Sequence, residues 1–322
     1  MTALTRRSVL GGASVAAATA LTPFAASPLQ AAAPPVGKQA PGWYRYKVGS
    51  IEITVVTDGH LINKTRADLN GALEAAYYPK DQMTTPYNPI VVNTGSKLAV
   101  IDTGTGEANY ERTKGVVGQF QTNLKAAGID RNAVDMVIIS HFHGDHINGL
   151  ITPDKKLAYP NAEVLVPAGD WKFFMDDGEM SRAAGDRMKA VFKGLRDVFD
   201  AIGRKVTPYE PGKDITPGIA AVATPGHTPG HSSHIVSSGN SKVFVQGDVT
   251  HVPFVHVRNP GWHAFYDQDG AMAEATRRKV YDMLVAEKMM VQGFHYPFPS
   301  LAYVEKNGDG YREVPVPWSP TI

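Results

Sequence analysis

Ser140-His141-Phe142-His143-Gly144-Asp145-His146 places three imidazoles and one carboxylate within six residues. Imidazole is the usual protein ligand for a borderline divalent metal, and a carboxylate adds the charge that holds a second ion. The preceding Asp135-Met136-Val137-Ile138-Ile139 is apolar and β-branched and reads as a buried strand. The four side chains therefore belong to a loop at the carboxyl end of a strand, where α/β folds place their chemistry. A lone histidine usually serves packing; His-x-His-x-Asp-His spacing does not fit that use.

Three later stretches repeat the placement. Thr224-Pro225-Gly226-His227-Thr228-Pro229-Gly230-His231 follows an expected strand over 219–224. Lys242-Val243-Phe244-Val245-Gln246-Gly247-Asp248 reads as a strand ending in Gly-Asp, and Met289-Met290-Val291-Gln292-Gly293-Phe294-His295 as a strand ending in His. Each candidate ligand again sits where a strand gives way to a loop.

On these residues the chain resembles the metallo-β-lactamase superfamily, whose pattern is His-x-His-x-Asp-His followed by a distant His, Asp and His. All seven positions are filled. The resemblance implies one metal site at His141, His143 and His227, a second at Asp145, His146 and His295, and Asp248 as the bridge. It also implies two divalent ions, zinc first, with manganese, cobalt and iron suited to the same ligands. Asp58 and Asp102 match two further landmarks of the family that support the ligands from behind. The flanks are similar to the methyl parathion hydrolase branch, which holds phosphotriesterases and related lactone and aryl-ester hydrolases. They include Ala40-Pro41-Gly42-Trp43-Tyr44-Arg45, Asn123-Leu124-Lys125-Ala126-Ala127-Gly128 and His295-Tyr296-Pro297-Phe298-Pro299.

Bulk properties narrow the class. Candidate ligands run from His141 to His295, so one site draws on half of the 322 residues, which favours a single catalytic domain over 34–322. Thr5-Arg6-Arg7-Ser8-Val9-Leu10, a small apolar run and an Ala-rich stretch ending at Ala33 read as a twin-arginine signal peptide over 1–33. Periplasmic or secreted location follows as an expectation. Pro23 and many alanines make the run too weakly apolar for a stable membrane anchor. Loss of Arg6 and Arg7 takes the balance from 32 basic against 31 acidic residues to 30 against 31. A nucleic-acid partner would call for a basic patch, so none is expected. The expected partner is a small-molecule ester, lactone or phosphotriester; the sequence leaves monomer and homodimer both open. Cysteine is absent, which excludes disulfides and thiolate ligands.

Residues 34–48 read as an arm, 51–57, 89–93, 97–102 and 162–167 as strands, and 107–127, 179–202 and 271–288 as helices. Strands in two groups, each followed by helices, suit an α/β fold of the four-layer αββα kind. Two ions roughly 3.5–4 Å apart can hold a hydroxide between them and clamp a substrate oxygen. Asp145, Asp248 and His251 are the catalytic candidates, with His251 placed to assist a leaving group or steady a carbonyl. Tyr110, Trp171, Phe173, Phe174, Phe192, Phe265 and Tyr266 are candidates for an apolar rim. His231 and His234 are expected to serve packing. The resulting expectation is a binuclear lactone or aryl-ester hydrolase with phosphotriester activity. Alternatives are a glyoxalase II-type thioesterase, a mononuclear iron sulfur oxidoreductase and a non-catalytic binding protein.

Overall fold

The computed structural model describes residue 37, residues 39–40 and residues 42–322. The expected signal peptide at 1–33 lies outside the described residues. The first half supplies β1 (Trp43–Val48), β2 (Ile51–Val56), β3 (Gly59–Lys64), β4 (Gln82–Tyr87), β5 (Ile90–Asn93), β6 (Leu98–Ile101), β7 (Met136–Ile138), β8 (Glu163–Pro167) and β9 (Thr207–Tyr209). β3 and β4, joined through α1 (Asn70–Ala75), pair as a separate ribbon; the others form a seven-stranded sheet, β1-β2-β5-β6-β7-β8-β9. The second half supplies β10 (Asp214–Thr216), β11 (Ile219–Ala223), β12 (Ser232–Ser238), β13 (Ser241–Val245), β14 (Met290–Gln292), β15 (Leu301–Asn307) and β16 (Gly310–Pro315). They form a second seven-stranded sheet in sequence order.

The strands bury side chains on both faces, so each sheet needs two covers. Ile53, Ile90, Val92, Ala99, Ile101 and Ile138 face Ile219, Ala221, Val236, Val243 and Val245 of the other sheet, closing the central core. Their neighbours Val56, Val91, Val100, Val137 and Ile139 point the other way, toward helices. Those helices are led by α3 (Phe120–Ala126), α5 (Ala168–Phe174) and α7 (Gly185–Ala201). On the far side, Phe244, Val291, Ala302 and Val304 pack against Val280, Tyr281 and Leu284 of α8 (Gly270–Glu287). The order is helix, sheet, sheet, helix: the expected α/β four-layer sandwich. Residues 41–322 cluster as one compact unit.

Three expected elements differ. Residues 43–48 are not an arm but β1, paired in register with β2. The expected helix over 107–127 is two short ones, α2 (Ala108–Arg112) and α3. Gly118, at φ 81, cannot carry a side chain there, because a Cβ would meet the Tyr110 amide at 2.6 Å. Buried Asp58 completes the break: its carboxylate accepts from the amides of Gly118 and Phe120 at 3.2 and 2.9 Å. The stripe over 179–202 splits into α6 (Asp177–Arg182) and α7 at Gly185, whose φ is 73°. Among the described residues no helix is long and apolar enough to cross a membrane.

Candidate metal centre

β6, β7, β8 and β9 run parallel, and so do β13 and β14, so their carboxyl ends gather along one edge. The motif loop leaves β7 there. Phe142 drives it into place: the ring is fully buried and packs on Phe199 and Phe174 at 4.6 and 5.9 Å between centroids. His141 and His143 lie on either side of it. α4 (Gly144–Ile147) then carries Asp145 and His146. His227 follows β11, Asp248 follows β13 and His295 follows β14.

The structure brings all seven expected ligands together. His141, His143, His227 and Asp248 offer ligand atoms within 4.8 Å of one another, and so do Asp145, His146 and His295. His143 Nδ1 lies 3.1 Å from His141 Nε2 and 2.8 Å from His227 Nε2. Asp248 faces both groups, with Oδ1 3.3 Å from His146 Nε2 and Oδ2 3.2 Å from both His227 Nε2 and His295 Nε2. Asp145 Oδ2 lies 3.5 Å from His295 Nε2 and 3.6 Å from His146 Nε2.

The opposite ring nitrogens decide what the cluster can hold. His227 Nδ1 donates to Asp267 at 2.9 Å, His146 Nδ1 to Asp102 at 2.8 Å, and His295 Nδ1 to the Pro86 carbonyl at 2.8 Å. Each Nε2 therefore presents a lone pair inward, the arrangement metal-binding histidines use. His146 Nε2 and Asp248 Oδ1 are buried without any hydrogen-bond partner. Burying lone pairs against one another is costly unless a cation joins them. The residues thus fit two divalent ions. Burial pushes the pKa values of His141 and His143 well down, keeping them neutral. Burial also resists charge on His227, yet Asp248 and Asp267 outweigh it and carry its pKa up to about 9. The carboxylates draw positive charge to this space, and protons compete with metal for it.

Support comes from residues the motif does not contain. Ser140 donates to both oxygens of Asp102 at 2.8 Å, through N and Oγ, and thereby holds the carboxylate on His146. Arg277, fully buried on α8, reaches Asp267 at 3.3 Å and the Val249 carbonyl at 3.0 Å. Asp170 accepts from Phe142 N at 3.0 Å, Thr228 Oγ1 at 2.9 Å and Gly230 N at 2.6 Å, tying the His141 loop to the His227 loop. Only glycine allows that approach, since a Cβ on Gly230 would lie 2.0 Å from the Asp170 amide. Asp170 follows β8 at the same sheet edge as the ligands, a signal the sequence carried; Asp267 had none. His231 serves structure as expected: its Nε2 accepts from the Asp248 amide at 2.9 Å and its Nδ1 donates to the Thr224 carbonyl at 3.0 Å. His234 meets Tyr209 at 3.2 Å, away from the ligands.

A cavity of about 1070 Å³ opens over the cluster. His251 forms part of its wall, with Nε2 3.2 Å from Asp248 Oδ2 and its ring stacked on His295 at 5.1 Å. Tyr266 packs on His251 at 4.5 Å, and exposed Phe265 stands at the mouth under the Arg187 guanidinium at 5.3 Å. The other expected rim residues lie elsewhere. Phe174 and Phe192 are fully buried in the helix-facing core, where Phe173 and Trp171 also pack, Trp171 against Phe142 and Phe199. Burial of a large apolar area outweighs exposure at a rim. Tyr110 is half-exposed on α2, away from the cavity, beside Gly115. Leu69, Met83, Met188, Val191 and Val255 supply the apolar wall instead.

The profile of the Metallo-beta-lactamase superfamily matches residues 84–288. The chain belongs to that superfamily. Among solved structures of similar fold is AidC, a dizinc quorum-quenching lactonase, at a TM-score of 0.79 and 25% identity over 86% of this chain and 98% of that one. AbOPH, a hydrolase in the β-lactamase superfamily, matches at 0.79 and 26% over 88% of this chain and 100% of that one. The N-acyl homoserine lactonase AttM of Agrobacterium fabrum strain C58 is 26% identical over 182 residues, 54% of this chain. An atrochrysone carboxyl ACP thioesterase of Passalora fulva is 36% identical over 76 residues, 24% of this chain. The chain spans 64% of the former's length and 20% of the latter's.

Asp170→Ala orphans three donors at the join of two ligand loops. It should lower unfolding free energy by about 1–3 kcal/mol and weaken metal binding about 10- to 100-fold, read by denaturant titration and competition with a chelator. Unchanged metal affinity would show that the two loops hold their places without this carboxylate.

Proposed function

We propose that the chain is an exported, binuclear metal-dependent hydrolase that opens lactones or cleaves aryl esters. The observation that carries the reading is the convergence of seven buried or half-buried donors, with Asp248 facing both groups. The lactonases among its relatives support it. The methyl parathion hydrolase-like flanks add phosphotriesters as a secondary class. Zinc is the first metal to test, then manganese, cobalt and iron.

Bound at these side chains, two divalent ions supply Lewis acidity and a water nucleophile at neutral pH. The chain's own residues position and exclude. Hydrolysis places a hydroxyl on the acyl carbon, breaks the acyl carbon–oxygen bond and leaves a proton on the departing alkoxide. His251 stands beside Asp248 where it can hold that proton or steady the carbonyl. Burial pushes its pKa down to about 4, against the pull of Asp248, so it is a neutral group at pH 7. Tyr266 and the apolar wall shed water around the ring or aryl group.

A second reading, thioester hydrolysis, is favoured by the short match to a thioesterase. A panel of lactones, aryl esters, phosphotriesters and thioesters on metal-loaded protein separates the two.

His251→Leu should lower lactone hydrolysis roughly 10- to 1000-fold. Paraoxon-type phosphotriester hydrolysis should fall less, or rise, because a tetrahedral centre needs room more than a donor. A parallel fall of both with loss of metal assigns His251 to the metal site. No change in either removes it from catalysis.

Export is proposed from Arg6 and Arg7. Arg6→Lys with Arg7→Lys should retain the protein in the cytoplasm; unchanged recovery outside it would refute this route.

A further inference from the structure

The charge around the cavity mouth is one-sided. Apart from the ligands Asp145 and Asp248, the charged side chains that line the cavity are Lys64, Arg66, Asp68 and Arg187. Arg66 is answered by Asp68 at 2.7 Å. Lys64, at the end of β3, and Arg187, on α7, make neither an ion pair nor a side-chain hydrogen bond among the described residues. The chain as a whole is close to balanced, with 32 basic residues against 31 acidic, so two unanswered cations at one opening do not follow from general basicity.

Helix stability does not explain Arg187. It lies in the first turn of α7, where the helix dipole favours an acid such as Asp186 and opposes a cation. Its guanidinium instead rests over the Phe265 ring, 5.3 Å from the centroid. That ring is 76% exposed, so the contact belongs to the water-facing lip and not to a core. A guanidinium resting on a ring keeps its edge N–H donors, and that planar fork matches a carboxylate. Exposed cations attract weakly in open water. These two stand at a cleft with an apolar wall, supplied by Leu69, Met188 and Val191, and such a cleft focuses their field on what enters.

We propose that the mouth selects substrates by charge: the preferred lactone or aryl ester carries a carboxylate at the end remote from its scissile bond, held by Arg187, with Lys64 adding attraction. This rests on the ester-hydrolase reading and narrows it. The carboxylate takes no part in bond making. The reacting carbonyl goes to the ligand cluster, and the apolar stem between the two ends lies along the wall.

Two matched pairs of probes on zinc-loaded protein test this at about pH 7.5, where a carboxylic acid is ionised. One pair is a γ-lactone with a carboxyalkyl chain and the same lactone as its primary amide. The other is a nitrophenyl monoester of a dicarboxylic acid and its primary amide. Wild-type protein should use the acid of each pair about 3- to 10-fold better, through KM, the scale of one or two part-exposed charge pairs. Raising salt from roughly 0.01 M to 1 M, which shortens the screening length from about 30 Å to 3 Å, should erase the difference. Arg187→Gln with Lys64→Gln should remove the preference, Arg187→Lys should keep part of it, and Arg187→Glu should reverse it. Both positions are exposed, so the variants fold; melting temperature and zinc content are followed in each. Equal use of acid and amide by the wild type, or a preference that salt leaves unchanged, overturns the proposal and leaves the hydrolase reading standing. A preference that survives the double variant belongs to the metal ions and also overturns it. So does an equal loss on acid and amide, which assigns Arg187 to the wall alone. Failure of the wild type on all four probes removes the hydrolase reading, and this proposal with it.

Discussion

The carboxylate of Asp248 joins the two halves of the molecule. One oxygen faces His146, from the first sheet; the other faces His227 and His295, from the second. For that contact to exist, the ends of β7, β11, β13 and β14 must meet at one edge, and the sandwich must close to its observed spacing. Gly247 shows how little slack there is. Its φ is 56°, and a Cβ there would lie 2.8 Å from His231 Nε2, the group that holds the Asp248 amide. The turn that delivers Asp248 therefore needs glycine.

Nothing in the cluster stabilises the fold on its own. Lone pairs from five histidines and three carboxylate oxygens face one another out of water, an arrangement that costs energy until a cation joins them. The scaffold holds it by over-determination. Asp102, Asp170 and Asp267 each lock a ligand or its loop, and Ser140 and Arg277 lock two of those carboxylates in turn. The large apolar cores on both sheet faces carry the cost. Ions that bind only the folded state then return stability by mass action.

The ligands were legible because each sits at a strand end, where a β-branched run gives way to Gly, His or Asp. The supports were less so, because their partners are remote: Asp170 meets Phe142 and Thr228 across 28 and 58 residues, and Asp267 meets His227 across 40. Helix ends failed where a buried side chain overrode periodicity, as Asp58 does between α2 and α3. The pocket failed for a related reason. An aromatic on an amphipathic helix satisfies the core first, so Phe174 and Phe192 went inward, and the cavity wall came from the β3–β4 ribbon, the π turn at Pro253–Val257 and α7. Of the expected rim, the adjacent pair Phe265 and Tyr266, outside any helix, lines the cavity.

The central claim is that these side chains hold two ions, not one. Anomalous X-ray diffraction from zinc-loaded crystals tests it most directly. Two peaks of comparable height are expected, one among His141, His143 and His227 and one among Asp145, His146 and His295, with Asp248 touching both. A single fully occupied peak in active protein, with the other group bridged only by hydrogen bonds, would contradict it.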